Sequence, residues 1–195
     1  DETPEKLVNE FNKYMRKSEN VRKLQRVFPI IITTCISAHK IGEPEPLFDM
    51  TIMDEASQCN VAISLVTIIR GEKLMLVGDP QQLNPVILLG ELTNKKLRRR
   101  YHVSDEYDYR ENSIYKTYLA CDAVSDEVLL RNHYRCNKEI IGFNNKKYYN
   151  SKLKIQSKSN EPEPLVYMDV KSDNTQIKNT SPAEVEEVVE YALLN

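Results

Sequence analysis

The stretch that decides the fold is Phe48-Asp49-Met50-Thr51-Ile52-Met53-Asp54-Glu55-Ala56-Ser57-Gln58. Its first six residues are typical of a buried strand, and an Asp-Glu pair follows directly. A second apolar run at residues 73–77 is followed by Gly78-Asp79-Pro80-Gln81-Gln82-Leu83. Carboxylates and amides therefore follow two neighbouring strands, at the edge where open α/β sheets bind ligands. An Asp-Glu pair there can hold a magnesium ion and activate a water, which predicts hydrolysis of a nucleoside triphosphate.

Strands and helices are predicted to alternate along the rest of the chain, and this alternation is typical of a parallel α/β architecture. The predicted strands cover residues 29–35, 48–53, 73–77, 127–130 and 165–168. The predicted helices cover residues 4–26, 62–69 (ended by Gly71), a segment capped by Asn112 or Ser113 and running to Leu119, and residues 137–149. Residues 88–109 are expected to be irregular. A domain boundary is expected between Cys121 and Asp126.

Composition narrows the function classes. The chain has 195 residues, of which 41% are hydrophobic and 29% charged, and its net charge is −2. It is therefore not a general attractor of nucleic acid, and any such contact must come from local patches. No apolar run is long enough to span a bilayer, which predicts no membrane partner. The four cysteines lack zinc-site spacing and fit a reducing, cytoplasmic setting, with Cys35 as a small buried hydrophobic residue.

The two ends suggest a piece of a longer protein. The chain does not begin with Met, and Ser181-Pro182-Ala183-Glu184 is a capping box that starts a helix with an apolar stripe. That predicted helix is still running at Asn195. We therefore expect that the remainder of a longer protein is missing at both ends.

Three motifs in order resemble those of superfamily 1 helicases. Asp54-Glu55-Ala56-Ser57-Gln58 resembles the second, or Walker B, motif; Gly78 to Val86 resembles the third; and Leu130-Arg131-Asn132-His133-Tyr134-Arg135 resembles the fourth. The pattern is most similar to the Upf1-like group. The resemblance covers residues 29–153 and implies a RecA-like, P-loop NTPase fold. Residues 1–122 would be part of the first RecA-like domain, and residues 123–195 the start of the second.

The resemblance also implies roles for individual residues in a site for ATP and Mg²⁺. Asp54 and Glu55 would hold the metal ion, and Glu55 would also activate the attacking water. Gln82 would contact the γ-phosphate and that water, and Asp79 would lie in the motif that links the nucleotide to nucleic acid.

The fourth motif supplies two more candidates. Arg135 would act as an arginine finger in cis, an effect worth roughly 10³–10⁵ in rate. Tyr134 would stack on the adenine base. Both belong to the predicted second domain, so the resemblance implies a site completed by two lobes.

Candidate contacts with nucleic acid, DNA or RNA, leave alternatives open. Thr33, Thr34 and Ser37 resemble a family segment that touches the strand backbone, but two threonines finishing a strand would look the same. The basic run at residues 95–100 could follow phosphates, although a solvated loop is the favoured interpretation. Nearby tyrosines could stack on bases, and ordinary packing is again favoured.

The sequence departs from the family pattern, and these departures leave other functions open. None of the five glycines begins the phosphate-binding pattern G-x-x-x-x-G-K-[ST], and Cys136-Asn137-Lys138 replaces the group's Met-His-Pro. We expect the 195-residue chain alone to lack ATPase activity. One alternative is a catalytically silent helicase-like module that binds nucleic acid or protein. Another is a motor coupled to a nuclease or to remodelling.

Overall fold

The computed structural model describes residues 3–158, 165–171 and 179–194. The chain divides into two compact units, Asp1–Asp126 and Glu127–Asn195. The α-helices are α1 Pro4–Met15, α2 Ser18–Gln25, α3 Val61–Ile68, α4 Glu91–Tyr101, α5 Ile114–Cys121, α6 Lys138–Tyr148 and α7 Pro182–Leu194. The strands are β1 Phe48–Met53, β2 Gly71–Leu76, β3 Asn132–His133 and β4 Lys154–Ile155.

The first unit is built on a parallel β-α-β element. Strands β1 and β2 pair in parallel, with Phe48 opposite Gly71 and Met53 opposite Leu76, and α3 connects them. Both strands and the connecting helix were predicted from the sequence and are confirmed. The prediction that Gly71 ends the helix is wrong, because Gly71 is the first residue of β2. A parallel pair with a helical crossover makes the chain an α/β protein.

A small hydrophobic core lies beside this strand pair. Met53, Ala56, Val61 and Ile114 are all at most 8% exposed and pack together. Ser113 caps α5, because its side chain accepts a hydrogen bond from the Lys116 N–H. The predicted cap is therefore confirmed, and it starts α5 where Ile114 enters the core.

A second core holds the N-terminal helices. It contains Met15, Val21 and Leu47. The predicted single helix over residues 4–26 is wrong, because Lys17 is extended and separates α1 from α2. The break lets the carbonyl of Met15 accept a hydrogen bond from the Gly42 N–H at 2.8 Å.

The predicted strand at residues 29–35 is also wrong. Residues 28–34 have no regular secondary structure, and Ile30 and Ile32 are 79% and 93% exposed. A β-branched run becomes a strand only where a neighbour pairs with its backbone. In the described part of the chain, β1 pairs with β2 and not with this segment.

Helix α4 corrects the expectation that residues 88–109 are irregular. Its buried face is fixed by Asp108, which accepts hydrogen bonds from Asn94 at 2.8 Å and from Arg98. Arg98 also pairs with Asp105. Burial by itself would raise the pKa of Asp108, but the Arg110 N–H, Asn94 and Arg98 together hold that pKa below its ordinary value.

The second unit has a much smaller strand pair. Strands β3 and β4 pair in parallel over two residues each, with Asn132 opposite Lys154. The predicted strands at residues 127–130 and 165–168 are wrong, since both segments are irregular. Helix α6 is confirmed and begins after Asn137, whose side chain accepts a hydrogen bond from the Glu139 N–H.

Hydrogen bonds of a single side chain hold the strand β4 next to α6. The Asn145 amide donates to the carbonyl of Leu153 at 3.2 Å and accepts from the Leu153 N–H at 3.0 Å. The predicted helix start at Ser181 is confirmed, because the Ser181 hydroxyl accepts a hydrogen bond from the Glu184 N–H at 3.4 Å. No helix in the described residues is both long and apolar enough to cross a membrane.

Candidate functional site

Two loops that follow β1 and β2 meet through their backbones. The Val77 N–H donates to the carbonyl of Met53, and the Ala56 N–H donates back to the carbonyl of Val77, both at 2.8 Å. These bonds extend the β1–β2 ladder past the ends of the strands. They hold the segment containing Asp54 and Glu55 beside the segment that begins at Gly78, so the two strand ends form one site.

Gly78 and Ser57 make the contact between the loops very close. A Cβ atom built on Gly78 would lie 2.9 Å from the backbone nitrogen of Ser57. The Ser57 hydroxyl accepts a hydrogen bond from the Asp79 N–H at 3.3 Å, and Ser57 is only 2% exposed. Only glycine fits this approach without a shift of the backbone.

The Asp-Glu pair lies at a sharp turn. Glu55 has φ 51° and ψ 37°, the left-handed region that residues other than glycine seldom adopt. Its N–H donates to the Asp54 carboxylate at 2.9 Å, and its own carboxylate accepts from the Gln58 amide at 3.2 Å. Asp54 and Glu55 are exposed, so both carboxylates are accessible to a ligand.

The loop after β2 is ordered by Asp79. The Asp79 carboxylate accepts hydrogen bonds from the Gln81 N–H and from the Gln82 side-chain amide, each at 2.9 Å. The predicted phosphate-sensing residue Gln82 is therefore held by a short turn, and its side chain is exposed. The structure brings Asp79 and Gln82 together, on the loop adjacent to Asp54 and Glu55.

The donor set suits magnesium better than zinc. The described residues contain no group of three or more His, Cys, Asp or Glu side chains that could hold a metal. Mg²⁺ commonly takes one or two protein carboxylates and completes its shell with water and substrate phosphates. Two exposed carboxylates, Asp54 and Glu55, fit that requirement.

Two thiols lie beneath the Asp54–Glu55 turn. Cys35 and Cys59 are half-buried and pack against the core next to β1, and the Cys59 thiol donates a hydrogen bond to the carbonyl of Glu55 at 3.7 Å. Burial, followed by the neighbouring Cys35, raises the pKa of the Cys59 thiol to about 11. Cys35 packs against the core as predicted for a small hydrophobic residue, but it is half-buried, and the strand predicted for it is absent.

The candidate nucleic-acid residues lie at the start of a short 3₁₀ turn, Ser37–Lys40. The Thr34 hydroxyl accepts a hydrogen bond from the Ser37 N–H at 3.2 Å, while Thr33 and Thr34 are exposed. Their contact with nucleic acid stays a prediction.

Tyr134 and Arg135 belong to the second unit. Both are exposed and lie between β3 and α6, where the Cys136 N–H donates to the His133 ring at 2.9 Å. This bond closes the turn that carries Arg135. The assigned roles of Tyr134 and Arg135 stay predictions.

Sequence reasoning missed three residues that shape the site. Ser57 belongs to the second motif and Gly78 to the third, but nothing in these motifs signals their close approach. Lys116 donates to the Asn84 side chain at 2.8 Å and so connects α5 to the loop after β2. No sequence signal joins two positions 32 residues apart in this way.

A parallel β-α-β unit with acidic and amide side chains at its strand ends is consistent with a RecA-like P-loop NTPase fold. Comparison with known proteins agrees, because a family described as an AAA domain matches residues 2–89. That match includes β1, β2 and both loops of the site. Together with the chain's similarity to proteins named as helicases, this match supports the resemblance to superfamily 1 helicases of the Upf1-like group.

The relatives are named as helicases. The chain is 25% identical to the RNA helicase Mov10l1 of Mus musculus, over 97% of this chain and 18% of that protein. It is 29% identical to an uncharacterized ATP-dependent helicase of Methanocaldococcus jannaschii, over 79% of this chain and 19% of that protein. It is 26% identical to the DNA replication ATP-dependent helicase/nuclease DNA2 of Gallus gallus, over 75% of this chain and 13% of that protein. The chain thus spans less than a fifth of the length of these relatives.

Proposed function

We propose that this chain supplies part of the ATP site of a cytoplasmic helicase, which couples ATP hydrolysis to movement along, or unwinding of, nucleic acid. The observation that carries the proposal is the backbone contact between the two strand-end loops. It places the Asp54 and Glu55 carboxylates next to the loop of Asp79 and Gln82.

Each residue of the first unit has a distinct task in this proposal. The Asp54 and Glu55 carboxylates hold Mg²⁺, which supplies charge neutralisation on the triphosphate. Glu55 accepts the proton of the attacking water. Gln82 orients that water, and Asp79, which holds the Gln82 amide, keeps the glutamine in position.

The second unit contributes positive charge and a stacking surface. In the proposal, residues 1–122 belong to the first RecA-like domain and residues 123–195 to the second. Arg135 neutralises charge on the transferred phosphoryl group, and Tyr134 stacks on adenine. Their exposure leaves both side chains accessible for these tasks.

Nucleic acid is the proposed partner, and Thr33, Thr34 and Ser37 are the proposed backbone contacts. Short hydroxyl side chains and N–H groups position phosphates without reading bases. Names of the relatives include an RNA helicase and a DNA replication helicase, which supports nucleic acid as the class. The 195-residue chain alone is proposed to be inactive, because it contains no G-x-x-x-x-G-K-[ST] loop.

The test uses the full-length protein that carries this chain, with the variant Glu55→Gln. Loss of the general base should lower ATP turnover stimulated by single-stranded nucleic acid by roughly 10²–10⁴-fold. ATP binding, measured with a fluorescent analogue, should be retained, because glutamine keeps the size of the side chain. Asp122→Asn is the matched control, since this carboxylate only caps a local turn through Val124 and Ser125.

Stimulated turnover that survives Glu55→Gln would remove Glu55 from its assigned role. A wild-type protein that binds nucleic acid but never hydrolyses ATP would favour the silent module instead. Steady ATP turnover by the 195-residue chain alone would show that a G-x-x-x-x-G-K-[ST] loop is not required.

A further inference from the structure

Helix α4 carries an exposed basic face that the proposed ATP site does not use. Lys96, Arg99 and Arg100 occupy positions i, i+3 and i+4 of the helix, so the three side chains share one face. All three are exposed. This set of three residues is named the basic face of α4.

The other cations of the helix are already neutralised. Lys95 pairs with Glu91 one turn earlier, and Arg98 pairs with Asp105 and Asp108. Among the ion pairs of the described residues, none involves a member of the basic face. Three uncompensated charges therefore remain on one side of a single helix.

The opposite side of α4 is fixed to the rest of the unit. Asn94 is 5% exposed and, like Arg98, is bonded to Asp108. These contacts set the rotation of the helix about its axis. The basic face consequently points to solvent in a fixed orientation, and Arg100 lies over the Tyr101 ring at 5.5 Å from its centroid.

We propose that the basic face of α4 binds the sugar-phosphate backbone of single-stranded nucleic acid. This inference rests on the proposed function and adds a contact outside the helicase motifs. Charge complementarity supports it, because the face offers three positive charges in a chain whose net charge is −2. Phosphate is the anion that clustered arginine and lysine side chains bind in a sequence-independent way.

Helix stability explains part of this pattern but not all of it. Cations in the last turn interact favourably with the helix dipole, and Arg99 and Arg100 lie there. That effect does not require Lys96 to share their face, nor does it require an acidic side chain to be absent from the face. Binding of phosphates accounts for both features.

The experiment compares the 195-residue chain with its triple variant Lys96→Gln, Arg99→Gln and Arg100→Gln. Glutamine has nearly the same helix propensity, so α4 should remain folded, which circular dichroism checks. Binding to labelled single-stranded homopolymers of deoxythymidine and of uridine is measured by fluorescence anisotropy at several KCl concentrations. The control is Lys13→Gln, Arg22→Gln and Lys23→Gln, which removes the same charge from α1 and α2.

The expected result is a fall in affinity of roughly 10–100-fold at low salt for the α4 variant. The slope of log K against log salt should fall in magnitude by roughly 2, because each phosphate that a cation neutralises adds about 0.7 to that slope for a single strand. The control variant should change the affinity and the salt slope much less. Polyglutamate should not displace the nucleic acid from the unmodified chain or from the α4 variant.

Three results would overturn the inference. The first is a wild-type chain that does not bind either homopolymer at the lowest salt. The second is an equal fall in affinity for the α4 and control variants, which would mean that only net charge matters. The third is binding of an anionic lipid vesicle or an acidic polypeptide as tightly as the single-stranded nucleic acid. None of these results changes the outcome of the ATPase assay with Glu55→Gln, and that assay tests the proposed function separately.

Discussion

The two parallel strand pairs of this chain are stabilised in different ways. Five residue pairs align between β1 and β2, and four buried residues form a core beside them. Strands β3 and β4 align two residue pairs and rely on the Asn145 side chain and on Arg131, whose Nε donates to the carbonyl of Lys152 at 2.8 Å. The first pair is held by packing, and the second by local hydrogen bonds.

This difference matters for the candidate site residues. Glu55 follows β1, whose last residue Met53 belongs to the core, and the loop of Gln82 begins beside the same strand end through the Val77 backbone bonds. Arg135 follows a two-residue strand and is fixed by one turn closed at His133. Packing therefore fixes the strand ends that precede the proposed metal and water residues, while the proposed arginine finger depends on a more local arrangement.

The largest expected effect tests the role of packing. Ile114→Ala should destabilise the first unit by about 2–5 kcal/mol, because Ile114 is 1% exposed and its truncation leaves a cavity beside Met53. Ile141→Ala in the second unit should cost less, on the order of 1–2 kcal/mol. Hydrogen exchange read by mass spectrometry reports the opening free energy of each unit separately.

Equal destabilisation by the two variants would contradict the comparison, since it would mean that the second unit also depends on a close-packed core. Ile32→Ala, the same change at a position of the first unit that is 93% exposed, is the control and should leave exchange in both units unchanged.

The next effect in size is a change in stability that has opposite signs in the two units. Gly78→Ala should destabilise the first unit by about 1–3 kcal/mol, because the added Cβ meets the Ser57 backbone. Gly142→Ala, in the interior of α6 with nothing within 4 Å, should stabilise the second unit by about 0.5–1 kcal/mol. Urea titration followed by hydrogen exchange measures both changes, and a stabilising Gly78→Ala would refute the close contact.

The smallest effect concerns the thiol under the site. Because its pKa is raised to about 11, Cys59 should hold roughly a hundredfold less thiolate than an ordinary thiol, and iodoacetamide at pH 8 should label it long after the exposed Cys121. The raised pKa contributes stability that is fully present below the unfolded value and is lost as pH rises through about 11. Peptide mass spectrometry follows the labelling.

In urea the two cysteines should react at similar rates, because unfolding removes the burial of Cys59. Equal rates in the native chain would mean that water reaches the core beside β1.

Helices with local signals were predictable from the sequence. Asn137, Ser113 and Ser181 mark helix starts, because a cap needs only the residues two or three positions ahead. The high charge of α4 predicts a loop, and the structure shows a helix. One local signal was present, the i,i+4 pair of Glu91 and Lys95, but the contact of Arg98 with Asp108 is not visible in the sequence.

Strands were less predictable, since pairing is not a local property. The runs at residues 29–35, 127–130 and 165–168 have strand-like composition but no strand structure. Of the candidate site, the sequence predicted that Asp54, Glu55 and the Gly78 loop follow neighbouring strands. It could not predict that Ser57 and Gly78 bring the two loops into contact, because this depends on the register of β1 against β2.

The backbone of Glu55 has a consequence for protein engineering. Its left-handed conformation costs roughly 1–2 kcal/mol in any residue with a side chain, and glycine would relieve that cost. The same change would delete the carboxylate proposed to accept the proton of water. A screen that rewards heat resistance alone would therefore favour loss of this side chain, so selection for a hardier chain must be accompanied by selection for turnover.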